Sequence, residues 1–351
     1  MTISSRHTVQ LFLPALALLC LAQLAGAQPA PSIAQAPVVS NAGPDETPNL
    51  GVVDWLKRMH GAARTHSYVG TFVVSVAAGD LSSARIWHAC EGDLQIERVD
   101  VLSGPPRTTF RRNEQVLTFL PDQRVIKSEK RENSELFPNL LGVPDSSIGD
   151  FYTVKVVGKG RVAGFDTDVI QLMPRDKLRF GYRVWTEKRS GLLTKLQTVD
   201  SDGKVVEQSA FSELQLDAPV KVQALSQMMG STAGYRMEKS QVERTTAQAE
   251  GWTLKSPVPG FKPMSCYRRV IAGSERTLQW SFSDGLATVS LFLEPYDAKR
   301  DAQEGTMALG ATYTLTRRLP DPAGDWWLTA VGEVPPRTLD AFAQSLARQP
   351  R

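Results

Sequence analysis

The stretch YVGTFVVSVAAGDLSSARIWHACEGDLQIERVDVL, residues 68 to 102, decides the fold class. Apolar and polar residues alternate along it with a period of two, and Gly-Asp pairs at Gly79-Asp80 and Gly92-Asp93 punctuate the runs as turns do. Connections this short join antiparallel neighbours, because a parallel crossover needs a dozen or more residues. Within and beyond this stretch the pattern predicts strands at Tyr68 to Ala77, Ala84 to Cys90, Leu94 to Leu102, Arg107 to Arg112, Gln115 to Leu120 and Arg124 to Ser128. After an irregular excursion around Ser134 to Gly149, rich in Leu, Phe and Pro, strands resume at Phe151 to Val157, Phe165 to Pro174, Arg179 to Glu187, Leu192 to Val199 and Lys204 to Leu214. A single amphipathic helix precedes them near Gly51 to Thr65, with Val52, Val53, Leu56, Met59 and Ala63 at helical spacing. Some eleven strands and one opening helix exclude a doubly wound fold. They imply an α+β domain that is mainly antiparallel β, its long, curved sheet plugged on the concave face by the helix.

From Asp217 to Glu250 the strand period fails and aromatics nearly vanish, which marks an interdomain connector with room for a helix near Val220 to Met229. Strands return at Phe261 to Ile271, Thr277 to Ser283 and Ala287 to Glu294, the last two joined through Asp284-Gly285, a strong hairpin signal. Met307 to Arg318 and Asp325 to Gly332 follow, and Pro335-Pro336 opens a final helix over Arg337 to Ala347. The chain therefore divides into a leader (1–27), a Pro-, Ala- and Ser-rich lead-in (28–50), a barrel-like domain (51–216), a linker (217–250) and a smaller antiparallel sheet with a terminal helix (251–351).

The leader sets the compartment. Arg6, the apolar run Leu11 to Leu24 and the small residues Ala25-Gly26-Ala27 form a secretory signal with cleavage before Gln28. A lipidated Cys20 is the alternative, but Leu19 stands where a lipoprotein signal needs a small residue. An exported chain of 324 residues remains, large enough for two domains. Its net charge, +3 for the whole sequence and +2 once Arg6 is lost, disfavours a general nucleic-acid role.

No catalytic constellation emerges. Gly158, Gly160 and Gly164 lead into a strand rather than a helix and are turn glycines, and Ser201-Asp202-Gly203-Lys204 is a hairpin turn. His60, His66 and His88 are the histidines left after the leader, and none has metal-ligand spacing with a cysteine, so neither metal nor cofactor is expected. In an oxidising compartment Cys90 and Cys266 are either buried thiols or an interdomain disulfide. Two features stand out. Positive charge gathers at Arg107, Arg111, Arg112, Arg124, Lys127, Lys130 and Arg131, which is either strand-edge charge or an anion or acidic-partner site centred on Arg107, Arg111 and Arg112. Apolar residues expected on the concave face, Phe72, Val74, Ile86, Phe110, Leu117, Phe119, Ile170, Leu172, Tyr182 and Val184, are either plain core or the lining of a lipid pocket.

Taken in order, these residues resemble the RseB/MucB family of periplasmic regulators of the sigma-E envelope-stress response. The resemblance runs through Trp55-Leu56 and Met59, Tyr68-Val69-Gly70-Thr71-Phe72, Glu97-Arg98 to Ser103-Gly104-Pro105-Pro106-Arg107, Arg179-Phe180-Gly181-Tyr182-Arg183-Val184-Trp185 and Gly191-Leu192-Leu193. Asp202-Gly203 with Glu207-Gln208, then Trp252, Pro259-Gly260-Phe261, Trp280 to Gly285 and Val331 to Pro336 complete it. The resemblance implies an N-terminal unclosed β-barrel with helices, similar to the lipoprotein carriers LolA and LolB, and a smaller C-terminal domain. It implies a binding protein without catalysis, whose partner is the periplasmic region of an RseA/MucA-type anti-sigma factor. That partner is shielded from proteolysis until a lipid or lipopolysaccharide-type signal arrives; self-association is left open. The two cysteines are not part of the shared pattern. The alternative is a periplasmic lipid or lipoprotein carrier, which would end near Leu216.

Overall fold

The computed structural model describes residues 50–130, 146–240, 242–271, 274–299 and 303–349. The leader and the lysine-arginine cluster's last member, Arg131, lie outside them, as does most of the expected excursion around 134–149. Among the described residues no helix is long and apolar enough to cross a membrane.

The opening helix, α1 (Val52–Thr65), buries Val52, Trp55, Leu56, Met59, Ala62 and Ala63, a stripe set by the 3.6-residue period. Two antiparallel meanders follow. The first comprises β1 (Tyr68–Val76), β2 (Leu81–Glu91), β3 (Leu94–Val101), β4 (Thr108–Arg112), β5 (Gln115–Leu120) and β6 (Val125–Lys130). The second comprises β7 (Tyr152–Val162), β8 (Phe165–Pro174), β9 (Gly181–Glu187), β10 (Leu193–Val199) and β11 (Val205–Leu216). β11 returns to pair with β1, which fuses both meanders into one twelve-stranded sheet. Its ends, β12 (Arg236–Lys239) and β7, are not paired to each other, so the sheet is curved but unclosed. Gly70 is required where it stands: a Cβ there would meet the Phe211 ring at 2.6 Å and the Glu213 carbonyl at 2.7 Å.

Each face of the sheet has its own helix. α1 lies over Tyr68, Phe72, Ile86, Ile170, Leu172, Tyr182, Val184 and Phe211. α2 (Val222–Gly230), close to the expected Val220 to Met229, covers the opposite face of the first meander through Val222, Leu225 and Met229. Burial of such side chains stabilises by roughly 1.5–3 kcal/mol apiece. The connector is more structured than its sequence implies. After α2, β12 adds in parallel to β6 and β13 (Val242–Arg244) adds to the second sheet. Both are short, polar and at sheet edges, so neither carries a hydrophobic period.

The second sheet runs β13, β15 (Lys262–Ile271), β16 (Ser274–Ser283), β17 (Thr288–Pro295), β20 (Trp326–Gly332), β19 (Thr312–Leu319), β18 (Gly305–Leu309). Its terminal helix, α3 (Pro336–Ser345), seats Phe342 against Phe261 and Phe282 with ring centroids 5.6 and 4.8 Å apart. β14 (Trp252–Leu254) pairs with the last strand, β21 (Leu346–Arg348).

Candidate functional site

Seven of the ten expected pocket residues come together. Phe72, Val74, Ile86, Ile170, Leu172, Tyr182 and Val184 share the apolar core beneath α1. Phe110, Leu117 and Phe119, expected in the same lining, do not join them but form a separate core under α2 with Ala89, Ile96 and Ile126. The cause is register. Phe110 stands opposite Arg98, not opposite Val99, and a one-residue offset turns a side chain to the other face of a sheet.

The three arginines of the expected anion site likewise diverge. Arg111 turns toward the α1 side, where its Nε lies 3.4 Å from the buried Glu97 carboxylate. Arg112, its neighbour along β4, is exposed on the other face. Arg107 sits in the loop before β4, where burial lowers its pKa. They form no convergent site. The interdomain disulfide is also absent, since Cys90 and Cys266 are free. Cys90 Sγ lies 3.7 Å from Ser67 Oγ on the first sheet, and Cys266 is buried in the core of the second. Burial, reinforced by Glu250, raises the Cys266 thiol to about 11.

What joins the two sheets is a cluster that sequence reasoning passed over. The β16–β17 turn carries Asp284 into the first domain, where its Oδ2 accepts from Arg179 Nε at 2.7 Å and from Tyr152 Oη–H at 3.3 Å. Neither the Arg179 nor the Asp284 side chain has any solvent exposure. The guanidinium also reaches Asp176 and the Pro259 carbonyl, and it lies over Phe151 at 4.4 Å and Phe261 at 5.0 Å, one ring from each domain. Gly260 makes the approach feasible, because a Cβ on it would come within 2.0 Å of Arg179 Nη2. Leu286, Ala311 and Tyr313 of the second domain pack into the core under α1. Glu207 accepts from the Ala311 amide at 3.1 Å. The second domain thus caps one end of the first domain's concave face. Asp284 was legible as half of a hairpin turn and as part of the shared Trp280 to Gly285 stretch, but nothing in the sequence pairs it with an arginine 105 residues earlier.

Comparison with known proteins agrees with this two-part construction. Residues 51–229 match the MucB/RseB N-terminal domain and residues 246–347 match the MucB/RseB C-terminal domain. The chain belongs to the MucB/RseB family. It is similar to the sigma factor AlgU regulatory protein MucB of Pseudomonas aeruginosa, with 30% identity over 303 residues, covering 84% of this chain and 90% of that one. It is also similar to the sigma-E factor regulatory protein RseB of Escherichia coli K12, with 23% identity over 318 residues, 90% of this chain and 96% of that one. Among solved structures, a crystal structure of MucB in complex with MucA(peri) superposes with a TM-score of 0.65 at 26% identity, covering 85% of this chain and 99% of that one. Family membership thus accounts for both sheets, for the order in which they occur and for the mainly antiparallel, unclosed architecture.

Proposed function

We propose that this chain is a periplasmic regulator that binds the periplasmic region of a membrane anti-sigma factor and shields it from regulated proteolysis. The observation that carries this is the match to MucB/RseB across both domains, in a family where MucB has been crystallised with MucA(peri). The exported leader supports the compartment, and the second domain favours a regulator over a simple carrier. Masking a cleavable segment requires no chemistry, only a bound population set by affinity and concentration.

The same proposal includes a lipid-type signal acting on the first domain. Its support is the apolar face under α1, into which Leu286, Ala311 and Tyr313 also insert. An acyl chain that competes for this face would work against the domain junction, coupling ligand to partner affinity by differential binding. The test is capture of the partner. The mature chain, immobilised, should retain the purified periplasmic segment of the anti-sigma factor from the same genome and slow its first cleavage in proportion to dose. Cleavage that stays equally fast at saturating protein rejects the shielding role.

A further inference from the structure

A carboxylate stands on the concave face of the first sheet, at the end that the second domain caps. Register runs one inward row from Leu172 through Tyr182, Thr198 and Glu207 to Val76, so Glu207 shares the face of Phe72 and Phe211. The turn between β18 and β19 closes over it: the Ala311 amide donates to Glu207 Oε2 at 3.1 Å. Gly310, with a φ of 61°, lies so near that a Cβ would meet the same oxygen at 2.3 Å and Val76 Cγ1 at 2.6 Å. A second carboxylate arrives through the link between β20 and α3. Tyr313 pairs with Gly332, and one step further along the two strands stand Thr312 and Glu333. Thr312 adjoins Ala311, so the second domain brings Glu333 to the turn that binds Glu207.

No positive charge compensates the pair. The neighbours from the packed elements are Val76 of β1, Thr198 of β10, Thr288 of β17 and Gly310, Ala311 and Thr312 of the turn, none of which titrates. Tyr313 turns into the core under α1, and Asp284 of the β16–β17 turn is paired with Arg179. Asp200 accepts from the Lys204 amide at 2.9 Å, while Asp80, Asp202, Lys204 and Arg337 of the adjoining turns are exposed. Among the described residues no lysine, arginine or histidine forms an ion pair with Glu207 or Glu333. Burial raises the Glu207 carboxyl despite the Ala311 amide, and burial with the Glu207 charge raises Glu333 to about 7. Glu333 keeps solvent access, which gives protons a route to the pair. Two neighbouring carboxylates without a cation repel when both ionise, and one proton on the pair relieves them.

We propose that Glu207 and Glu333 form a proton-operated latch between the two domains. With a proton on the pair, the β18–β19 turn stays seated on the first sheet; with both ionised, the turn lifts and draws Ala311 and Tyr313 out of the core under α1. The direction follows from linkage. A carboxyl that titrates higher with the domains together than apart favours closure fully below its ordinary value of 4.5, and that contribution is lost as pH rises through about 7. The latch stands whether or not the chain binds an anti-sigma factor.

The experiment is amide hydrogen exchange by NMR on the full mature chain between pH 6 and pH 8.5, corrected for intrinsic exchange. Ala311 reports the latch, while Leu56 of α1 and Phe342 of α3 report the two domains themselves. A midpoint that moves from 4.5 apart to about 7 together gives a fall of up to about ten-fold in Ala311 protection over this range, with Leu56 and Phe342 steady. Glu333→Gln, which imitates the protonated carboxyl, should flatten the profile at the parent's pH 6 level. Glu207→Gln, which keeps an acceptor for the Ala311 amide, should weaken the pH dependence and lower the Glu333 midpoint. Carbon-13 labelling of glutamate should show one carboxyl titrating near 7 in the parent and none there in Glu333→Gln. The proposal is overturned by any of four results: a change below about two-fold at Ala311, the same profile in Glu333→Gln, a parallel fall at Leu56 and Phe342, or a profile that saturating calcium abolishes, which would make the pair a cation site.

Discussion

Removing the carboxylate of Asp284 should unfasten the two domains. Its partner, the Arg179 guanidinium, is wholly enclosed, so losing Asp284 strands a buried charge. Breaking such a pair from one side costs about 3–5 kcal/mol. Arg179 keeps Asp176, the Pro259 carbonyl and its two aromatic neighbours, which places the charge contribution at the low end, about 3 kcal/mol. Asp284 also holds its own turn, its Oδ1 accepting from the Leu286 amide at 2.9 Å and the Ala287 amide at 2.7 Å. At roughly 1 kcal/mol for each, Asp284→Ala should lose about 5 kcal/mol, whereas Asp284→Asn, which keeps an acceptor for the turn, should lose about 3. Against a total stability of roughly 5–15 kcal/mol this is large. Urea unfolding followed by tryptophan fluorescence reads it out, since Trp55 and Trp185 report the first domain and Trp280 and Trp327 the second. The parent should unfold in one transition and Asp284→Ala in two. The double variant Arg179→Met with Asp284→Leu should recover much of the loss, because it leaves no stranded charge. The reasoning is refuted if Asp284→Asn loses less than about 1 kcal/mol, or if the effects of the two sites simply add.

Mass spectrometry of non-reduced protein should find Cys90 and Cys266 as free thiols, with Cys266 much the slower to alkylate at pH 8, because its thiol is raised to about 11 and it is buried. Phe119→Ala should cost about 3–5 kcal/mol through loss of packing under α2 yet leave any lipid affinity unchanged, while Phe72→Ala, on the α1 face, should change both; equal effects on lipid binding would contradict two separate cores. Glu97, with its pKa depressed in the folded state, contributes stability that is complete above its unfolded pKa and lost as pH falls through the lower folded one. The parent should therefore be more acid-labile than Glu97→Gln relative to their neutral-pH stabilities, which thermal melts between pH 7 and pH 3 would show.

How much of this was legible in the sequence depends on the range of each interaction. Strand positions and the two flanking helices were readable because alternation and the 3.6-residue stripe are local: α1 and α3 begin within a residue of their expected starts, and Asp284-Gly285 does form the β16–β17 turn. Face assignment was readable only strand by strand. Phe110, Leu117 and Phe119 alternate as cleanly as Ile170 and Leu172, but which face they present is decided by pairing across β3 and β4, and α2, which covers them, comes more than a hundred residues later. Charge was the least readable. Seven basic residues close in sequence looked like a site, yet alternation sends Arg111 and Arg112 to opposite faces, and Arg111 is engaged by Glu97. The arginine with the greatest structural consequence, Arg179, stood in none of these clusters. It is tolerated in the interior because Asp284, Asp176 and two phenylalanines from different parts of the chain converge on it, and convergence has no period. The same limit hid Glu207 and Glu333: Glu207 occupies an inward strand position where an apolar side chain would bury at less cost, and only the meeting of the two sheets brings Glu333 to it. A polar residue at an inward position is therefore the local trace of a non-local arrangement. Its detection needs the strand's register, not a stronger motif.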